Sequence, residues 1–182
     1  SFAARTMTAD DMRSQRLKAL ETSPIVNVHL WYDRPVMEGD FCAFVDSPLQ
    51  WVFNRTGIMQ DATSASGHAS DEFSEASHSE DQYICISHSA AWKYIEWSRE
   101  DLIEEFVDEM RRVFPSARDA QVRRAIVVKQ RNATFRCLPG ANQLRPHSPT
   151  PIPNLFLAGA WTNTGWPSTM EGAARSGYNA AQ

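Results

Sequence analysis

The chain has 182 residues, of which 42% are apolar and 22% charged, with a formal net charge of −4. That length suits one domain or the incomplete remains of two, and the composition is ordinary for a globular protein. The acidic balance gives no general affinity for nucleic acid or an anionic membrane, and the apolar runs are far too short for a membrane span.

Residues 1–22 are mixed-charge and polar and carry no secretory-leader pattern. Within them 8–22 is predicted as a helix, with Thr8 as N-cap and Met12, Leu17 and Leu20 on a mostly polar segment. Residues 24–32 alternate Ile25, Val28 and Leu30 with Asn27 and His29 and read as a strand that Arg34-Pro35 ends. Two more strands are predicted near 41–46 and 50–55, joined by an Asp46-Ser47-Pro48 turn.

The composition then changes. Residues 57–82 hold six serines, six acidic residues and no Lys or Arg. Such a stretch cannot bury a core and is expected to be a mobile loop. His68 and His78 lie in it, but no ligand spacing supports a metal site, and none is expected. A strand follows at 83–89. Ser98 opens the clearest helix, with Asp101 completing a capping box. Leu102, Ile103, Phe106, Val107, Met110, Val113 and Phe114 form its apolar face, read as core packing against a sheet, and Pro115 stops it. Residues 122–136 read as strand, and the Pro-rich stretch 146–153 as a crossover.

Cys42, Cys85 and Cys137 are odd in number and lack CxxC pairing, so they read as small buried hydrophobes in a reducing cytoplasm. His29 and His88 have no nucleophile elbow or triad order beside them and read as packed or hydrogen-bonded residues.

The most informative stretch runs from Asn154 to Tyr178. A short apolar run, 154–158, reads as a buried strand. A Gly/Pro/Thr-rich turn follows, flanked by Trp161 and Trp166. Ser168 or Thr169 then opens a helix, with Glu171 three residues after Ser168 as in a capping box. The helix is rich in small residues. Gly172 and Gly177 in its interior each cost about 1 kcal/mol relative to Ala, which suggests a close approach to the backbone. Its N-terminus offers unpaired N–H groups and partial positive charge to an electron-rich ligand.

The run Asn154-Leu155-Phe156-Leu157-Ala158-Gly159-Ala160-Trp161-Thr162-Asn163-Thr164-Gly165-Trp166-Pro167-Ser168-Thr169-Met170-Glu171-Gly172-Ala173 resembles the C-terminal signature of FAD-dependent amine-oxidase-type flavoproteins. The likeness is to the phytoene-desaturase-like branch and, within it, to squalene-associated desaturases (hydroxysqualene dehydroxylases). It extends over Ser23–Pro35, Gln50–Arg55, Arg131–Phe135 and Pro139-Gly140. It implies FAD as cofactor, with Gly159, Ala160, Trp161, Thr169, Met170 and Glu171 against it, and Trp51, Phe53, Phe135 and Trp166 lining a channel for an apolar small-molecule substrate.

The resemblance implies no catalytic acid or base, because the flavin carries the redox chemistry. It also implies an α+β fold: a mixed sheet with packed helices from a substrate domain (1–150), then the last strand and helix of an FAD-binding domain (151–182). The Rossmann half with its G-x-G-x-x-G segment is absent from this chain. The family carries Asp or Glu where Ala160 stands, and that carboxylate meets the sugar-like part of FAD. This chain alone is therefore expected to bind FAD weakly or not at all and to be inactive. The whole protein is expected to be an FAD-dependent oxidoreductase acting on an isoprenoid. It is expected in the cytoplasm, with peripheral membrane contact and homo-oligomerisation left open. The alternatives are a flavin amine oxidase and a non-catalytic, self-associating domain.

Overall fold

The structure is a computed structural model that describes residues 12–57 and 81–182, side chains included from residue 16. Its elements are α1 (Met12–Ala19), β1 (Thr22–Tyr32), β2 (Phe41–Ala43), β3 (Trp51–Asn54), β4 (Gln82–Ser89), α2 (Arg99–Val113), β5 (Val122–Phe135), α3 (Ala141–Leu144) and α4 (Met170–Ala181). They form two compact units, Pro24–Arg131 and Ser1–Ser23 with Asn132–Gln182. The fold is α+β, as expected.

In the first unit, strand period places Val26, Val28 and Leu30 of β1 on one sheet face, opposite His88, Ile86 and Ile84 of β4. Val52 of β3 joins them across from Ile86. The apolar stripe of α2 (Leu102, Phe106, Val107, Met110) closes this face into the core. The helix starts where its capping box requires: Ser98 Oγ accepts the Asp101 N–H at 3.0 Å, and the Asp101 carboxylate accepts the Ser98 N–H. Pro115 follows and begins a 3-10 turn.

The sheet order is β2-β3-β4-β1-β5. The β2/β3, β3/β4 and β4/β1 pairs are antiparallel. The bonds flanking β1 and β5 (Asp33 N–H to Gln121 O and Arg136 N–H to Glu21 O) show the same sense there. Among the described residues, the parallel element of the expected mixed sheet is an isolated bridge between Gln50 and Ser87.

Several boundaries differ from the sequence expectation. The first helix ends at Ala19, not 22, because Glu21 and Thr22 are drawn to β5: Glu21 O accepts the Arg136 N–H, and the Thr22 hydroxyl donates to Asn132. Thr8, its expected cap, lies outside the described residues. β2 ends at Ala43 rather than 46, since the chain turns back and Asp46 takes a left-handed φ of 57°. Of the loop expected at 57–82, residues 58–80 lie outside the described residues, His68 and His78 with them. Its last two residues are buried instead. Asp81 pairs with Arg123. The Gln82 side chain accepts the Val36 and Met37 N–H groups and donates to Met37 O.

The strand expected at 154–158 is a single bridge, Phe156 with Pro149. The Leu157 N–H donates to Ser148 O beside it, at 2.8 Å.

Candidate functional site

The second unit holds the strand–turn–helix segment, and its geometry begins at Gly159. This residue has φ +143°, and a Cβ built on it would lie 2.4 Å from Trp161 Nε1. Only glycine meets both conditions. The Gly159 N–H donates to Ser176 Oγ at 2.7 Å, which ties the turn to α4. The Gly159 carbonyl accepts the Thr162 N–H at 3.0 Å and the Thr162 hydroxyl at 2.9 Å.

Arg145 organises the rest. Just beyond α3, it is 6% exposed. Nη1 donates to Trp166 O (2.9 Å) and Asn142 Oδ1 (3.2 Å), and Nη2 to Thr162 O (2.6 Å) and Ala160 O (3.1 Å). Its guanidinium lies over the Phe135 ring, 5.4 Å from the centroid. The Asn163 N–H bonds Pro146 O at 2.7 Å, so the chain on both sides of the turn is pinned to the residues around Arg145. Nothing in the sequence spacing singled out Arg145. The signal that could have found it is its isolation: from Leu138 to Met170 the chain holds no other Arg, Lys, Asp or Glu, so no acidic neighbour stands ready to pair with it.

The helix is capped one residue later than the capping-box reading allows. Thr169 is the N-cap of α4, and its Oγ1 accepts the Gly172 N–H at 3.2 Å. The Ser168 hydroxyl is engaged with Thr134 Oγ1 at 3.2 Å instead. Glu171 is thus the second helical residue, and it pairs with Arg175 at 2.7 Å rather than closing a box. The Thr169 N–H bonds Pro167 O, outside the helix, at 2.9 Å. Among the described residues, the N–H groups of Met170 and Glu171 at this helix end have no partner.

The close approach expected at the helix glycines is real at Gly172, where a Cβ would meet the Pro167 carbonyl oxygen at 2.3 Å. At Gly177 a Cβ would meet nothing within 4 Å.

A cleft of about 580 Å3 opens beside the turn, lined among others by Phe135, Asn142, Arg145, Asn163 and Trp166. Phe135 and Trp166, both expected to line a channel, therefore share one cavity. Trp166 is 42% exposed and carries the Arg175 guanidinium 4.4 Å from its ring centroid. The other two expected channel residues, Trp51 and Phe53, belong to the first unit. They stack on β3 at 6.1 Å, on the sheet face opposite the core, where Cys85 and His29 also lie.

On that face the His29 ring nitrogen Nδ1 bonds the Tyr83 hydroxyl at 2.7 Å, and Tyr83 stacks on Trp31 at 4.3 Å. Burial lowers the pKa of His29, helped by the Arg55 charge, and burial likewise lowers that of His88, whose Nδ1 bonds Pro48 O at 2.7 Å. Cys42 and Cys85 are half-buried, and burial raises both thiol pKa values. Cys137 is exposed, contrary to expectation, where it lines the cleft.

Chemically, the helix end presents the N–H groups of Met170 and Glu171, and the turn before it carries a buried guanidinium on its carbonyls. This donor set suits an acceptor-rich group that becomes negatively charged.

Residues 6–182 match the model of the family described as flavin containing amine oxidoreductase. The chain is 29% identical over 172 residues to 15-cis-phytoene desaturase of Synechococcus elongatus, covering 92% of the chain and 34% of that protein. It is 53% identical over 55 residues to hydroxysqualene dehydroxylase of Rhodopseudomonas palustris, covering 30% of the chain and 13% of that protein. The fold matches a crystal structure from Exiguobacterium sp. 255-15, provisionally described as a protoporphyrinogen oxidase. The TM-score is 0.60 at 12% identity, over 92% of this chain and 35% of that one. The chain thus spans about a third of the length of the relatives it matches almost end to end. Its relatives are oxidoreductases, and the chain belongs to the flavin containing amine oxidoreductase family.

Proposed function

We propose that this chain is the C-terminal portion of an FAD-dependent oxidoreductase that desaturates or dehydroxylates an isoprenoid, a squalene precursor being the favoured substrate. The observation that carries the reading is the helix end at Met170 and Glu171, which presents free N–H donors beside a turn that only Gly159 permits. The residues fit a flavin's pyrimidine edge, which is rich in acceptors and gains negative charge on reduction. They fit its sugar-like chain less well, because Ala160 offers no carboxylate.

When bound, the flavin supplies the redox chemistry by accepting or returning a hydride. The chain's own residues orient and polarise. Met170 and Glu171 donate from the helix end, Gly159 lets the backbone come close, and Phe135 and Trp166 give the cleft apolar walls. Domain-wise, 151–182 belongs with the flavin and most of 1–150 with the substrate. Trp51 and Phe53 supply further apolar surface for an isoprenoid chain. Such a substrate resides in lipid, so the protein works from the cytoplasm at a membrane surface. Among the described residues no helix is long and apolar enough to cross a membrane.

The test has two arms. The purified chain is titrated with FAD by calorimetry, with weak or absent binding expected. The longer protein that carries it is purified and its absorbance recorded. Oxidised, it is then incubated with phytoene or a primary amine; reduced beforehand with dithionite, it is incubated with hydroxysqualene. Bleaching by phytoene, or reoxidation of the reduced flavin by hydroxysqualene, is the expected result. Turnover of the amine alone would overturn the substrate reading, and the absence of flavin would overturn the whole.

A further inference from the structure

Arg145 carries a charge for which its hydrogen bonds alone give no reason. It is 6% exposed, and its side chain is a cationic guanidinium. Its four bonds go to three backbone carbonyls and one amide oxygen, all neutral. Nε is buried without a partner. Among the described residues no carboxylate pairs with it, and Glu171, the first acidic residue after it in the chain, is engaged with Arg175. A buried charge that meets only dipoles is costly, and neutral donors could hold the same carbonyls for less.

The three carbonyls belong to Ala160, Thr162 and Trp166, on the turn between Gly159 and the α4 N-terminus. The charge also borders the cleft between Phe135 and Trp166. Opposite charge close by in a water-poor site favours the ionised form of whatever binds there.

We propose that Arg145 is a positioning residue that also acts electrostatically. It holds the 160–166 turn and, by its uncompensated positive charge, favours the anionic reduced form of the flavin over the oxidised form. This rests on the reading that residues 159–171 seat the flavin. It assigns to Arg145 a share of the work otherwise left to the helix end, and it explains why an arginine rather than a neutral donor occupies the position.

The experiment uses the flavin-loaded longer protein with Arg145→Lys and Arg145→Gln. Lysine keeps the charge and loses the fork, whereas glutamine loses both. Flavin content and the two-electron midpoint potential are measured. In the Gln variant, binding of reduced relative to oxidised flavin should weaken by about tenfold, a fall of about 30 mV for a two-electron couple. The Lys variant should stay near the unsubstituted protein. Loss of flavin in the Gln variant alone, with the Lys variant at the original potential, also supports the proposal.

An unchanged potential in a flavin-holding Gln variant overturns it. So does a Lys variant that shifts, or loses flavin, as much as the Gln variant, because the fork geometry would then be the whole role. If the unsubstituted protein holds no flavin, the underlying flavin reading fails instead.

Discussion

Trp161 lies so close over Gly159 that a Cβ on the glycine would sit 2.4 Å from the indole Nε1. Gly159→Ala therefore meets a φ of +143° and an aromatic ring together. Backbone strain of this kind costs about 1–3 kcal/mol, and overpacking adds about 1–3 kcal/mol. Trp161→Ala in the same chain should relieve the second part and leave the first. A double-mutant cycle from urea midpoints measures the coupling, and strictly additive losses would show that the ring does not obstruct position 159.

The two glycines inside α4 should respond with opposite signs. Gly172→Ala drives a Cβ to 2.3 Å from the Pro167 carbonyl oxygen, which is backbone and cannot swing away. A destabilisation of about 2 kcal/mol is expected. Gly177→Ala meets nothing within 4 Å and should raise stability by about 1 kcal/mol through helix propensity. Thermal melts of the two variants decide, and equal effects would contradict the geometry.

Met170 is the first residue of α4, with its side chain 91% exposed, and Thr169 before it has φ −127° and ψ 175°. Those angles are the extended ones a residue preceding proline adopts. Met170→Pro should therefore keep the helix while deleting one of the two free N–H donors. Far-UV circular dichroism should be unchanged, and in the flavin-bearing protein flavin content or the rate of flavin reduction should fall. Normal content with normal turnover would remove the helix end from the site.

The Asp33 carboxylate accepts two bonds from Arg34, at 3.0 Å each, and the Gln121 N–H at 3.0 Å. These partners, Arg34 first, lower its pKa to about 2. The unfolded chain titrates nearer the ordinary carboxylate value of about 4. The contribution to stability is therefore complete above about pH 4 and is lost as pH falls towards about 2. Asp33→Asn should lower stability at neutral pH and flatten the loss between about pH 4 and pH 2. Urea midpoints across that range check it, and parallel profiles for the two proteins would rule the ion pair out.

What the sequence determined by itself is what local physics controls. Ser98 and Asp101 lie within one helical turn, and the stripe from Leu102 to Met110 repeats at helical period. The start, end and buried face of α2 could therefore be read from neighbours alone. The strands at β1, β4 and β5 were legible for the same reason, and so was the order of Gly159, the turn and the final helix.

Tertiary structure decided the rest, because the deciding partners lie far along the chain. Thr169 rather than Ser168 caps α4 because Ser168 finds Thr134, 34 residues away. The apolar run at 154–158 forms only a bridge, Phe156 with Pro149, and which segment lies beside it is settled by the fold. Arg145 is singled out by no motif or spacing in the sequence. Only the fold, which brings the carbonyls of Ala160, Thr162 and Trp166 back from 15 to 21 residues downstream, buries it and makes its charge available to the site. Long-range hydrogen bonds leave no periodic trace in sequence, and that is why the turn was visible and the residue that holds it was not.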